Sequence, residues 1–297
     1  MAGEALVDVV VPVTGQSRRS PGGSPLNVAV GLARLGLETQ LVTEIGDDDA
    51  GRMVLEHVRG SGVTVDDASV VPGATTSTAT ATLDEQGAAT YSFELRWTLG
   101  PRTLPPDATA LHVGSLGTAL RPGRDTVLAL VEQAVDAGIL VTFDPNVRPT
   151  ITPDAEQAWH EVLEVAEAAD VVKLSDEDLE FLQPGTTIAA AASSLLRGRT
   201  RLLVVTSGGT GAFAVSPAGS VEVHSRPVDV VDTVGAGDSF MAALVAVAVQ
   251  HGLDELHDDR LEAYLSAAHE AAAVTVSRPG ADPPSLGELP PGWPRLS

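Results

Sequence analysis

Gly235-Ala236-Gly237-Asp238 joins residue types able to bind and transfer a phosphoryl group. The segment lies between a strand-like apolar run at 228–231 and a long Ala/Val-rich helix that begins after Gly237. Backbone N–H groups converge at such a helix start and bind an anion. The glycines let the backbone approach a phosphate, and the helix dipole stabilises charge developing on a phosphoryl group. Asp238 in the first turn can accept a hydroxyl proton, a general-base role that contributes about 10²–10⁴-fold. The same four residues also make an ordinary tight turn with Asp238 as a cap, and locally the two readings balance. Neither familiar nucleotide fingerprint is present: there is no G-x-x-x-x-G-K-[ST], and no complete G-x-G-x-x-G follows the first strand.

Other residues carry chemistry of a matching kind. Asp8 can accept from two neighbouring hydroxyls, Asn27 can donate and accept, and Gly22 and Gly23 admit a ligand close to the backbone. Read alone, Asp8 is a charged strand end and Asn27 a polar residue of a helix's first turn. Phe143-Asp144-Pro145-Asn146-Val147-Arg148-Pro149 follows a strand, where open α/β sheets place ligands. There Arg148 can hold phosphate or carboxylate oxygens, oriented by Asp144 and Asn146, or can simply pair with Asp144. Lys173, the only lysine, can reach a phosphate or merely end its strand. Ser175 opens the acidic helix start Ser175-Asp176-Glu177-Asp178, and Thr206-Ser207-Gly208-Gly209-Thr210-Gly211 offers hydroxyls and amides but reads equally as a hairpin turn.

A regular rhythm of elements must position these groups. Strands are expected at 6–11, 40–43, 110–113, 139–143, 171–174 and 202–206, with helices at 24–36, 48–59, 124–137, 154–168, after Gly237 and at 260–276. Ser24-Pro25 reads as an N-cap followed by proline, after a loop rich in Gly, Ser and Arg. This order predicts a mainly parallel sheet with helices on both faces. A Thr-rich stretch at 75–95, broken by Asp84-Glu85-Gln86-Gly87, predicts a hairpin appendage, and a second hairpin turns at Pro217-Ala218-Gly219. The Pro- and Gly-rich tail beyond Pro279 is expected to wrap the surface.

Composition narrows the partners. A formal charge of −22 over 297 residues repels nucleic acid, and one lysine supplies no polybasic membrane segment. With no cysteine, disulfides and thiolate chemistry are excluded. The apolar N-terminus carries Glu4 and Asp8 and lacks a basic opening, so it reads as a buried strand rather than a signal peptide, and no apolar run approaches the length of a membrane span. A cytoplasmic location is the default expectation.

Taken with Gly22-Gly23-Ser24-Pro25-Leu26-Asn27-Val28-Ala29-Val30-Gly31-Leu32-Ala33-Arg34-Leu35-Gly36, the Gly-Ala-Gly-Asp segment resembles the paired signatures of the ribokinase-like, or PfkB, carbohydrate kinase family. The likeness runs from Glu4 to Ala281, through Ile45-Gly46-Asp47-Asp48 and Ser277-Arg278-Pro279-Gly280-Ala281. It implies a ribokinase-like three-layer α/β/α fold over residues 1–297, with β lid elements around 11–20 and 75–97. It also implies ATP as co-substrate with Mg²⁺, Asp238 as base, and the Gly235, Ala236 and Gly237 amides as an anion hole. By the same match Asp8, Gly22, Gly23 and Asn27 hold the sugar, with Arg148 beside it and Phe93 in the lid. Phe93 serves equally as lid core or as part of a homodimer contact between two lids.

On the nucleotide side the resemblance assigns Lys173, Ser175, Thr206, Ser207, Gly208, Gly211 and His269. Read alone, His269 is a packed residue of an Ala-rich helix. Asp178 stands where the family carries a glutamate that organises magnesium through water, and Ser175 where it carries asparagine, with Glu177 an alternative acid. K⁺ would bind backbone carbonyls of Asp232, Val234, Thr275, Arg278 and Gly280, with Pro284 replacing a serine ligand. The 143–149 segment and His112-Val113-Gly114-Ser115-Leu116 resemble the fructokinase-type branch, which favours fructose over ribose. A 2-keto-3-deoxygluconate, other sugar-acid or nucleoside kinase remains open, as does a catalytically silent sugar-binding regulator.

Overall fold

The computed structural model describes residues 1–84, 86 and 88–294. Glu85 and Gly87 of the expected hairpin turn lie outside the described residues. The chain opens with strands β1 (Leu6–Val11) and β2 (Arg18–Gly22) and helix α1 (Ser24–Arg34). Two-residue strands β3 (Gln40–Leu41), β4 (Ile45–Gly46), β5 (Thr64–Val65) and β6 (Val70–Val71) bracket α2 (Asp49–Gly60), and the hairpin β7 (Thr78–Leu83) and β8 (Ala89–Glu94) follows. Strands β9 (Ala110–Gly114), β10 (Leu140–Asp144), β11 (Val171–Ser175) and β12 (Leu202–Thr206) then alternate with α3 (Ser115–Ala119), α4 (Gly123–Asp136), α5 (Ala155–Ala166), α6 (Asp176–Leu182) and α7 (Ile188–Leu195). The β13 (Gly211–Ser216) and β14 (Gly219–His224) hairpin leads to α8 (Ala236–His251) and α9 (Asp258–Val276).

Six strands form the main sheet in the order β14-β13-β12-β11-β10-β9, parallel from β9 to β12 and antiparallel beyond. Because helices cover both faces, β12 is apolar from Leu202 to Val205 instead of alternating. Val171, Leu202 and Val204 pack beneath α8 and α9, whereas Val172, Leu174, Leu203 and Val205 pack beneath α4–α7. The crossovers carry all four parallel strands in one direction, so Gly114, Asp144, Ser175 and Thr206 end together along one rim. Helix α8 is buried from Ser239 to Ala248 because it lies between the sheet, α1 and α9, which explains why its sequence is apolar all round.

A second, four-stranded sheet, β2-β1-β7-β8, stands at this rim and takes in all of β1 as well as the hairpin. Ahead of β1, Ala2 makes parallel bridges to Val113 of β9 and to Val42, just after β3. Asp8, Ala79 and Phe93 stand directly opposite one another across β1, β7 and β8, so they share one face of this sheet.

Four local expectations change. Read locally as loop but within reach of the β element implied around 11–20, residues 18–22 form a strand because β1 pairs with them from Leu6↔Gly22 to Val10↔Arg18. Gly23, at φ 107, is the N-cap of α1, which moves Ser24 into the helix and frees its hydroxyl. The 228–231 run is no strand: it pairs with no sheet, and Val230 and Val231 are 61% and 59% exposed. The tail does more than wrap, since Leu289 and Trp293 are buried against the α8–α9 core and the Trp293 indole N–H donates to the Ala267 carbonyl. Among the described residues no helix is long and apolar enough to cross a membrane.

Candidate active site

At the start of α8 the sequence dictates an unusual backbone. Gly235 adopts φ 76, and a Cβ there would come within 2.6 Å of the Ala281 side chain, so glycine is required twice over. The Ala236 N–H donates to the Thr233 carbonyl at 3.2 Å, while the Gly235, Gly237 and Asp238 N–H groups have no acceptor among the described residues. Three free amides at a helix N-terminus suit an anion. Of the three amides expected to form an anion hole, that of Ala236 is taken up within the chain, and the Asp238 amide stands free beside those of Gly235 and Gly237.

Helix α1 fixes the carboxylate. Ser24 Oγ donates to Asp238 Oδ1 at 2.7 Å, and Asn27 Nδ2 donates to Oδ2 at 2.8 Å. Each oxygen is therefore held from α1 while Asp238 stays only half-buried. The role of Ser24 was hidden in the sequence, where Ser-Pro before an apolar run reads as a cap. Asp8 faces the same cleft from β1. Burial raises its pKa, Arg148 opposes that rise, and the negative charge of Asp238 adds to it. Gly22 is buried against it, because a Cβ would fall 2.0 Å from Asp8 Oδ2. Gly23 at φ 107 brings the chain against the Glu4 carbonyl. Phe93 lies on the Asp8 face of the four-stranded sheet, stacked on Tyr91 with ring centres 6.3 Å apart.

Arg148 is exposed and turned back on its own loop, donating to Asn146 Oδ1 at 2.6 Å. The alternative pairing of Asp144 with Arg148 does not occur. Asp144 Oδ2 accepts instead from Lys173 Nζ at 2.8 Å, deep between β10 and β11, because the parallel register brings these strands side by side. Burial pushes Asp144 up to about 6, against the pull of Lys173. Burial alone would lower Lys173, but Asp144, then Asp178 and Asp238, hold its pKa above the usual lysine value.

The remaining expected residues divide. Ser175 and Asp178 form a reciprocal capping box at α6, and Asp178 Oδ1 also accepts from the Val147 N–H at 2.8 Å. Both Asp178 oxygens are thus engaged within the chain, while Glu177 is exposed. Thr206 ends β12 beside Ser175; Ser207 and Gly211 close a tight turn (Ser207 N to Gly211 O, 2.8 Å) with Gly208 exposed at φ 48. His269 packs edge-on against Phe240, 5.2 Å between ring centres, and burial lowers its pKa. Asp232 laces two loops together, its carboxylate accepting from the Val234 and Gly280 N–H groups at 3.0 and 2.9 Å, which holds its pKa low. The Thr275 carbonyl accepts from the Arg278 N–H and also faces the Ser277 N–H, whereas the Gly280 carbonyl accepts from Asp282 alone. Among the described residues no cluster of three or more His, Asp and Glu gathers as a metal centre.

An oriented carboxylate at an amide-lined helix start, with a second carboxylate on the four-stranded sheet nearby, fits a small-molecule phosphotransferase. Comparison with known proteins agrees. Residues 3–286 match the pfkB family carbohydrate kinase profile. The chain is 35% identical over 260 residues to the fructokinase of Klebsiella pneumoniae, covering 85% of each. The fructokinase of Xylella fastidiosa with bound ATP superposes with a TM-score of 0.80 at 26% identity, covering 97% of this chain and 94% of that one. A double mutant of the Vibrio cholerae fructokinase, bound to fructose, ADP and potassium, superposes with a TM-score of 0.81 at 27% identity, covering 94% and 92%. The chain belongs to the pfkB carbohydrate kinase family. It has the family's ribokinase-like fold and is a sugar kinase.

Proposed function

We propose that this chain is a fructokinase that transfers the γ-phosphate of MgATP to a hydroxyl of fructose, with Asp238 as the general base. The carrying observation is the Asp238 carboxylate, oriented by Ser24 and Asn27 at the free-amide start of α8. The hydroxyl oxygen attacks the γ-phosphorus in line and its proton passes to Asp238 as the bond to the ADP oxygen breaks. The Gly235, Gly237 and Asp238 amides stabilise charge on the transferring group. Asp8 and Asn27 hold the sugar hydroxyls, Arg148 swings from Asn146 to the sugar, and Phe93 closes over it, excluding water that would compete as acceptor. The 206–211 turn and Lys173 receive the nucleotide, with His269 behind α8 as packing support.

Magnesium arrives as part of the nucleotide. Asp178 fits it only through a water shared with its internal hydrogen bonds, and exposed Glu177 supplies a freer carboxylate. Potassium fits the carbonyl lone pairs of Asp232, Val234, Thr275, Arg278 and Gly280, on loops that Asp232 already ties together. A requirement for MgATP suits a cytoplasmic setting, and the exposed Tyr91 beside Phe93 suits a homodimer joined through the lids. Asp238→Asn should leave the thermal unfolding curve in place and lower kcat at least 10²-fold. A panel of sugars, sugar acids and nucleosides read by ADP release tests the substrate; turnover unchanged in Asp238→Asn, or faster with a sugar acid than with fructose, would refute the assignment.

A further inference from the structure

A chain that uses arginine for its other cations buries its single lysine, leaving Lys173 5% and Asp144 1% exposed. As a stabilising device a buried ion pair is a poor choice, because desolvation cancels most of the attraction and apolar residues do as well. Its placement is more informative. Lys173 Nζ lies 3.4 Å from where a Gly237 Cβ would stand, against the second residue of α8. Asp144 takes one ammonium proton, and the other two have no acceptor among the described residues. Two unfilled donors on a buried cation at an anion-binding helix start call for phosphate oxygens.

Asp144 faces two ways. Its Oδ1 accepts from the Asn146 N–H at 3.1 Å, shaping the turn that presents Arg148, while Oδ2 holds Lys173. We propose that Asp144 is a positioning residue that holds the Lys173 ammonium against the α8 N-terminus for phosphoryl transfer, and through its other oxygen ties that ammonium to the sugar-side turn. This rests on the kinase reading above. Lysine suits the position where arginine does not: a compact ammonium can share one proton with Asp144 and aim the other two at a single phosphoryl group, whereas a planar guanidinium requires more room.

Asp144→Asn tests the link selectively. Asparagine keeps a carbonyl oxygen for the Asn146 N–H but offers Lys173 no charge. The expected outcome is a kcat lowered by about 10²-fold, the scale for losing one electrostatic donor to a transition state, with the KM for sugar within a few-fold of wild type. A raised sugar KM with kcat intact would overturn the proposal. The double variant Asp144→Asn/Lys173→Met removes both charges and so relieves the buried cation. It should fold with a wild-type melting temperature yet keep the low kcat. Recovery of wild-type turnover, or failure of the double variant to fold, would make the pair structural and overturn the proposal. Wild-type turnover measured alongside separates the cases: an inert wild type sinks the kinase reading, whereas an active wild type with an equally active double variant sinks only the role of the pair.

Discussion

At the residue scale the site is a set of carboxylates whose surroundings differ. Asp238 is half-buried and held by two donors, Asp144 is buried against a lysine, and Glu4 is buried with neutral partners. Glu4 Oε2 accepts from the Gly117 N–H at 2.9 Å, which fixes α3 under the rim, and burial pushes its pKa from the ordinary 4.5 to about 7. The folded chain therefore keeps this proton up to about pH 7, whereas the unfolded chain loses it near 4.5. Stability from this group is full below pH 4.5 and is lost as pH rises to 7, a swing of about 3 kcal/mol. Glu4→Gln keeps an acceptor oxygen and removes the titration. Urea unfolding between pH 5 and 8 should show a midpoint that falls with pH in the wild type and a flatter profile in the variant. Equal slopes would mean that Glu4 is ionised in the fold throughout.

At the element scale the start of α8 is the decisive joint. Gly235→Ala must place a side chain at φ 76, costing roughly 1–2 kcal/mol, and drive its methyl into Ala281. The amides then turn away from the phosphate while α8, buried along most of its length, stays folded. A kcat loss of about 10²-fold or more, with a melting temperature lowered by a few degrees, is expected from steady-state kinetics and thermal melts. The sequence exposed this joint because glycine spacing before an apolar helix is local information. Most helices and long strands were legible for the same reason: α2 carries its own cap, with Asp48 accepting from the Gly51 N–H at 2.8 Å, and β12 its own apolar run. What could not be read depends on pairing across the chain. Strand β2 exists because β1 lies beside it, residues 228–231 fail as a strand because no sheet edge meets them, and Asp144 finds Lys173 across 29 residues through parallel register. The hydroxyl of Ser24 reaches Asp238 over 214 residues, and no local rule pairs them.

At the scale of the whole molecule, charge sets the conditions of catalysis. With −22 on 297 residues the chain repels itself and its anionic co-substrate, so any monovalent salt should help both folding and MgATP binding. Such screening depends on ionic strength alone: the Debye length shortens from about 30 Å at 0.01 M to about 8 Å at 0.15 M whatever the cation. A cation held by the carbonyls of Asp232, Val234, Thr275, Arg278 and Gly280 would instead depend on ion size. It would act beside Gly235, where the 275–280 loop and the start of α8 are laced by Asp232. The two effects separate when kcat is measured in potassium and tetramethylammonium chloride at equal ionic strength. Melting temperature should rise with either salt, but kcat should rise several-fold only with potassium. Asp232→Ala, which unlaces the loops, should erase that difference while leaving the general salt effect on stability, because removing one of 40 acidic residues hardly alters the net charge. Equal kcat in both salts for the wild type would show that the carbonyls hold no ion and that salt acts here through screening alone.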